Sequence, residues 1–198
     1  MSDAYGFLAP IYQPLSQLVF GKDLIQANQA FLESYEGKKV LIIGGGDGVA
    51  YRDFSGNLHG EYWDLSSRMC QLAKKNLEGS NLTIHIGAWQ GKGKFDRIFL
   101  PFVVDSLEEE QLGEFLIQIR QCLNSEGKVI ISDFFPPRTF LQRLVHQLMI
   151  YGFRILAKHP RKDLPNISQK MKVAGFSLYQ ERMWRKGWIR SQVYAGCN

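Results

Sequence analysis

The stretch VLIIGGGDG, residues 40–48, decides the fold of this chain. Its first four residues are aliphatic and mostly β-branched, which predicts a short strand buried on both faces. The glycines that follow predict a tight turn in which the backbone can take up left-handed dihedral angles and approach a ligand closely. A strand that ends in a glycine-rich turn is typical of α/β proteins that bind nucleotides.

The spacing of the glycines excludes two common phosphate-binding motifs. A dinucleotide fingerprint, G-x-G-x-x-G, needs glycine at position 49 or 51, where this chain has Val49 and Tyr51. A P-loop needs Gly-Lys-Ser/Thr, which does not follow the turn. What remains is G-x-G-x-G and then an acidic residue, Asp64, at the end of the next predicted strand. Because a carboxylate there can accept hydrogen bonds from both hydroxyls of a ribose, the pattern favours a nucleoside ligand without a phosphate chain.

Strands and helices alternate on both sides of this stretch. Hydrophobic periodicity predicts helices at 15–35, 66–77, 107–123 and 139–157, a short helix after residue 165, and strands at 39–43, 60–64, 82–86, 96–100, 128–132, 176–183 and 188–194. Strands that alternate with helices indicate βαβ units, and the last two strands flank a turn at Gly187. The prediction is an α/β fold: a doubly wound, Rossmann-like, seven-stranded and mostly parallel sheet ending in an antiparallel hairpin.

Composition and charge limit the class of protein. The chain has 198 residues, enough for one domain, and its three cysteines lack the spacing of a disulfide framework or a zinc site, so we expect a cytoplasmic protein without a metal. Residues 138–198 hold half of the 24 lysines and arginines but two of the 19 acidic residues. This basic segment favours an anionic partner or is a solvated face. Its cations are separated by apolar residues, which disfavours nucleic acid.

Taken together, these segments resemble the class I S-adenosylmethionine-dependent methyltransferases over roughly residues 37–195. The order and spacing of five segments carry the resemblance: VLIIGGGDG (40–48), WDLSSRM (63–69), IHIGAW (84–89), KFDRIFLPFVVDSL (94–107) and LNSEGKVIISDF (123–134). Within this family, the chain most resembles the small-molecule "type 11" group, which includes quinone-ring and lipid methyltransferases. Its members often begin with a tyrosine-containing segment such as APIY, residues 9–12.

The resemblance implies a cofactor, a set of contacts and a domain plan. The cofactor would be S-adenosyl-L-methionine, over the turn and the strand ends at Tyr12, Gly44, Gly45, Gly46, Asp47, Gly48, Asp64, Leu65, Ala88, Trp89 and Leu100. Residues 1–198 would form one methyltransferase domain, with a helical cap at 1–36 and a lid on the substrate side at 134–170. The acceptor would be a small, partly apolar molecule. No catalytic base is identified, and Asp133, His146 and His159 are candidates for one or for structural roles.

Departures from the family pattern leave other functions open. The family often has acidic residues where this chain has Ile42 and Ala88, which motivates a cofactor-binding regulatory module without catalysis. GGGDG is also typical of spermidine synthases, but those aminopropyltransferases carry an acidic segment where this chain has LPFVVD, residues 100–105. Finally, the helix predicted at 139–157 combines apolar residues with nearby cations. This combination predicts either contact with an anionic membrane surface or simple packing on the sheet. The cations are Arg138, Arg143, Arg154, Lys158, Arg161 and Lys162.

Overall fold

A computed structural model describes residues 20–32, 37–157 and 164–197, with the backbone alone for 150–157. The predicted cofactor contact Tyr12 and the candidate base His159 lie outside the described residues, as do most of the cap at 1–36 and the cations at 158, 161 and 162. The predicted cap and lid therefore stay predictions.

Seven strands form one sheet, as the sequence predicts. They are β1 (Lys39–Ile43), β2 (His59–Asp64), β3 (Asn81–Ile86), β4 (Phe95–Pro101), β5 (Leu123–Phe134), β6 (Phe176–Trp184) and β7 (Ile189–Gly196). Their order across the sheet is β3-β2-β1-β4-β5-β7-β6. Neighbours among β1 to β5 are parallel, whereas β7 runs antiparallel to both β5 and β6. The sheet is therefore doubly wound from β1 outward and closed at one end by a hairpin.

Five α-helices lie in the described part of the chain. They are α1 (Asp23–Gln29), α2 (Ser67–Asn76), α3 (Glu109–Gln121), α4 (Phe140–Ala157) and α5 (Ile167–Val173). The serine cap predicted for α2 is present, since the Ser66 hydroxyl accepts a hydrogen bond from the Met69 N–H at 3.4 Å. None of the helices described is long and apolar enough to cross a membrane.

The long helix predicted at 15–35 is wrong within the described residues. Only α1, seven residues long, is α-helical between residues 21 and 32. Gly21 and Phe31 have φ angles of 58° and 69°, in the left-handed region that a right-handed helix cannot contain. The apolar residues here follow helical spacing, but those two backbone reversals divide the segment.

Two hydrophobic layers enclose the sheet and fix the positions of the strand ends. On one face, α3 and α5 pack through Leu112, Leu116 and Met171. On the opposite face, Tyr51 and Tyr62 pack with the end of α2. Because both faces are covered, the edge formed by the carboxyl ends of β1, β2, β4 and β5 is where a ligand can reach the backbone.

Candidate functional site

The turn after β1 takes the conformation that its glycines allow. Gly44, Gly46 and Gly48 have φ angles of 75°, 67° and 76°, a region that residues with a side chain rarely adopt. After Gly48 the chain enters a 3-10 segment, Val49–Asn57. The turn thus leaves β1 and changes direction within five residues.

The glycines differ in what surrounds them. A Cβ on Gly44 would lie 2.2 Å from the Val103 side chain, and a Cβ on Gly45 would lie 2.4 Å from the Tyr62 ring. At Gly46, by contrast, no atom of the described residues lies within 4 Å of the Cβ position. Packing against the protein therefore requires the first two glycines, while Gly46 faces open space where a ligand can approach the main chain.

Asp64 joins the end of β2 to this turn. Its Oδ2 accepts a hydrogen bond from the Gly46 N–H at 2.9 Å, and its Oδ1 accepts one from the Ser66 N–H at 2.9 Å. The Tyr62 hydroxyl donates to the Gly46 carbonyl at 2.9 Å. The structure thus brings Gly46 and Asp64, which are 18 residues apart in sequence, into direct contact.

Asp47, also predicted as a ligand contact, has structural bonds of its own. Its Oδ1 accepts a hydrogen bond from the Val49 N–H at 3.1 Å, which caps the 3-10 segment. Its main-chain carbonyl accepts one from Asn76 Nδ2 at 2.9 Å, at the end of α2. These bonds fix the exit of the turn against the neighbouring helix.

Three of the predicted cofactor contacts, Leu65, Ala88 and Trp89, follow the ends of β2 and β3. Leu65 is 47% exposed, and Ala88 is also exposed. The two strand ends are joined because the Gly87 N–H donates to the Asp64 carbonyl at 2.8 Å. Trp89 meets Phe115 of α3 edge to face, with ring centroids 6.2 Å apart. The tryptophan is therefore held partly by the core, with its surroundings set by α3.

Solved structures share this architecture. A putative methyltransferase in complex with the Haloferax volcanii Trm112 activator gives a TM-score of 0.75 at 13% identity, over 100% of both chains. The DhpI–SAH complex gives 0.67 at 15% identity, over 98% of this chain and 93% of that one. The mitomycin 7-O-methyltransferase MmcR gives a TM-score of 0.67 at 15% identity over 94% of this chain. The chain spans 57% of the length of MmcR. No protein-family model matches the chain, and no curated protein matches it in sequence.

The sheet order and these similarities agree. This chain has the class I S-adenosylmethionine-dependent methyltransferase fold. At this level of identity the similarity establishes the fold, whereas the chemistry depends on the residues of the site.

In this methyltransferase fold, the end of β4 lies beside the glycine turn. Leu100, predicted to contact the cofactor, has a fully buried side chain in the core between the sheet and α3, and its contact with a cofactor stays a prediction. The residues after Leu100 approach the glycine turn. Phe102 has a φ of 53° and Val103 packs against Gly44. The left-handed residue turns the chain after β4 toward the glycine turn.

Asp133, a candidate base, is bound into the loop after β4. It is fully buried, and its carboxylate accepts hydrogen bonds from the N–H groups of Phe134 at 2.8 Å and Asp105 at 3.2 Å. Burial, reinforced by the neighbouring Asp105 carboxylate, raises the pKa of Asp133 well above its usual range. These contacts assign it a role in holding the β4 and β5 ends together.

An aromatic cluster, Phe20, Phe102, Phe134 and Trp188, lies beside these strand ends. The centroid of the Phe134 ring is 5.1 Å from that of Phe102, 5.3 Å from that of Phe20 and 5.7 Å from that of Trp188. His146 of α4 meets Trp188 edge to face at 6.4 Å. Sequence reasoning missed this cluster, although Phe102 directly follows β4 and Phe134 ends β5, the positions where ligands of such sheets bind.

Two further aromatic side chains connect neighbouring elements. Trp184 packs against the buried residues of the aromatic cluster and donates its indole N–H to Gln26 Oε1 of α1 at 3.2 Å. His85 of β3 stacks on Trp63 of β2 with ring centroids 4.2 Å apart.

Proposed function

We propose that this protein binds S-adenosylmethionine on the glycine turn and transfers its methyl group to a small, partly apolar acceptor. One observation carries the proposal: no atom of the described part of the chain lies within 4 Å of the Cβ position at Gly46, and the Gly46 N–H is bonded to the Asp64 carboxylate. A ligand that reaches the main chain at Gly46 therefore lies beside the Asp64 carboxylate. A nucleoside fits that combination, because its ribose hydroxyls donate to a carboxylate while its other parts need close approach to the backbone.

The residues present fit such a cofactor. A carboxylate has about four acceptor positions, so Asp64 can hold the turn and accept ribose hydroxyls together. Exposed Leu65 and Ala88 would border the adenine, with Trp89 beside them. SAH, present in the complex with the neighbour DhpI, is the demethylated form of the same cofactor. Ile42, where the family often has an acid, is fully buried in the core, so a carboxylate at that position would be costly.

The cofactor would bring a methyl group already attached to a good leaving group, a sulfonium. The protein's part is then to align the acceptor atom with that methyl group and to exclude water. The aromatic cluster suits both tasks, because Phe20, Phe134 and Trp188 are at most 5% exposed and Phe102 turns toward the glycine turn. An apolar acceptor gains free energy by leaving water for such surroundings.

A matched pair of variants tests the cofactor site. Gly46→Val adds a branched side chain in the space proposed for the ligand. Gly79→Val introduces the same residue in the turn after α2, at a φ of 86° and also with no atom of the described residues within 4 Å of the Cβ. Both variants carry similar backbone strain, so we expect similar losses of thermal stability. In calorimetric titration with S-adenosylmethionine and SAH, only Gly46→Val should lose binding; normal binding by Gly46→Val would contradict the site.

Turnover is tested with radiolabelled S-adenosylmethionine and a metabolite extract. Transfer of label to a small molecule by the wild type, and not by Gly46→Val, is the expected result. Cofactor binding without any transfer would instead support the regulatory module, or a protein that needs a partner chain. Transfer of an aminopropyl group from decarboxylated cofactor would support the spermidine synthase alternative.

We propose in addition that the outer face of α4 contacts an anionic membrane surface, from which an apolar acceptor could enter. The support is the exposure of four apolar side chains beside exposed Arg138 and Arg143: Phe140 is 79%, Leu141 68%, Leu144 44% and Leu148 63% exposed. Apolar residues mixed with cations are typical of helices that lie in a membrane interface. We place the protein in the cytoplasm, consistent with Cys70, Cys122 and Cys197 all being free thiols.

A further inference from the structure

Two nitrogen atoms beside the aromatic cluster are buried, and neither has a hydrogen-bond partner among the residues that the structure describes. They are Trp188 Nε1, in a side chain that is 2% exposed, and His146 Nδ1. Buried polar groups in proteins are nearly always bonded, since an unmade bond costs free energy. Each of these atoms therefore points to a group that completes it.

The two atoms differ in what they need. The indole Nε1–H of Trp188 can only donate a hydrogen bond. Burial lowers the pKa of His146, so its ring is neutral at physiological pH, and Nδ1 accepts when Nε2 carries the proton. A group that satisfies both must accept from one and donate to the other. A hydroxyl does both through a single oxygen atom.

The surroundings indicate what carries that hydroxyl. The His146 and Trp188 rings meet edge to face at 6.4 Å, and Trp188 in turn contacts Phe20 and Phe134 at 5.3 and 5.7 Å. Phe102, whose ring is next to Phe134, leads directly to Val103 against the glycine turn. Aromatic rings pack well against such a cluster in offset or edge-to-face contacts. The cluster is thus placed next to the proposed cofactor and is chemically matched to a ring.

We infer that the methyl acceptor is a hydroxylated aromatic molecule whose hydroxyl oxygen is held between Trp188 Nε1 and His146 Nδ1. That the bound molecule accepts a methyl group rests on the proposed function. The recognition itself involves Trp188 and His146 as positioning residues, with no proton transfer required of them. It assigns roles that neither the glycine turn nor Asp64 performs.

A pair of probes that differ only in the hydroxyl tests the recognition. Binding of 2-naphthol and of naphthalene is measured by equilibrium dialysis, with and without saturating SAH. The wild type should bind 2-naphthol about tenfold or more tightly than naphthalene, because naphthalene leaves both buried groups without partners. Trp188→Phe and His146→Phe keep an aromatic ring but remove the donor or the acceptor, so in each variant the preference should fall severalfold.

The ratio of the two affinities is the informative quantity. A change of packing in either variant alters the binding of both probes, whereas loss of a hydrogen bond alters 2-naphthol alone. Trp184→Phe is the matched control, since the Trp184 N–H already has a partner in Gln26; it should leave the ratio unchanged. Circular dichroism confirms that each variant is folded.

Several results would overturn the inference while leaving the cofactor site intact. One is SAH binding with no measurable binding of either naphthalene probe. Another is equal binding of both probes by the wild type, which would mean that ordered water satisfies the two nitrogens. Conversely, a hydroxyl preference that persists without SAH, in a protein that fails to bind SAH, would support the recognition and contradict the proposed methyl transfer.

Discussion

Replacing Asp64 by alanine is the most direct test of how the site is built. The change removes the carboxylate that accepts hydrogen bonds from the Gly46 and Ser66 N–H groups, both at 2.9 Å. It would also remove the proposed acceptor of the ribose hydroxyls. Two measurable effects therefore follow, one on folding and one on ligand affinity.

The size of each effect can be worked out from these contacts. Loss of two main-chain hydrogen bonds at a partly buried carboxylate should lower the free energy of unfolding by about 2 kcal/mol. For a chain of this length that corresponds to a fall in Tm of about 4–8 °C, so the variant should still fold at room temperature. Loss of charge-assisted bonds to the ribose, about 1.5–3 kcal/mol, should weaken SAH binding roughly ten- to a hundredfold.

The assay combines thermal unfolding with calorimetric titration of SAH at 25 °C. Asp96→Ala is the control, because the Asp96 carboxylate likewise accepts a main-chain N–H, from Lys39 at 2.9 Å, and one from Asn124 Nδ2 at 2.7 Å. Asp96 begins β4 at the opposite end of the strands, so its loss should reduce stability and leave SAH affinity unchanged. A folded Asp64→Ala protein that binds SAH as tightly as the wild type would refute the assignment of the ribose site.

Three further perturbations follow from the structure. Folding raises the pKa of Asp133, so its contribution to stability is present below about pH 4 and is lost as pH rises toward the folded pKa, by up to about 1.4 kcal/mol per pH unit. In urea unfolding between pH 4 and 7, the unfolding free energy of the wild type should therefore fall relative to that of Asp133→Asn. A difference between the two that stays flat or rises would contradict this prediction. Gly45→Ala should destabilise by about 1–3 kcal/mol, since its Cβ would lie 2.4 Å from a buried tyrosine ring, whereas retention of wild-type Tm would contradict that packing. At low salt, more wild-type protein should sediment with anionic liposomes than protein of the triple variant Phe140→Ser, Leu144→Ser, Leu148→Ser. Wild-type protein that stays in the supernatant would exclude the membrane contact.

The sequence alone determined the architecture and one edge of the site. The run VLII can be buried on both faces, and glycine is the residue that tolerates the left-handed turn after it, so residues 40–48 predict a strand and a ligand turn without further information. The positions of the remaining strands along the chain follow from local periodicity, and the closing hairpin follows from the spacing around Gly187. These features are local, because each depends on neighbours within a few residues.

Tertiary structure decided which of the predicted residues face the site. Sequence treats Gly44, Gly45 and Gly46 alike. Yet packing against Val103, in the loop after β4, and against Tyr62 of β2 requires the first two, whereas no atom of the described residues lies within 4 Å of the Cβ position at Gly46. The side chain of the predicted contact Leu100 is buried, because β4 alternates its side chains between the two faces of the sheet and Leu100 falls on the face covered by α3.

Nonlocal packing also decided the roles on the acceptor side. Asp133 looks like a catalytic carboxylate in sequence, but its partners are main-chain N–H groups that include one 28 residues away. His146 and Trp188 are 42 positions apart, and they meet because α4 packs over the turn where the hairpin begins. Whether a buried nitrogen has a partner depends on every element that surrounds it, so periodicity along the chain cannot reveal it, whereas the packed structure does.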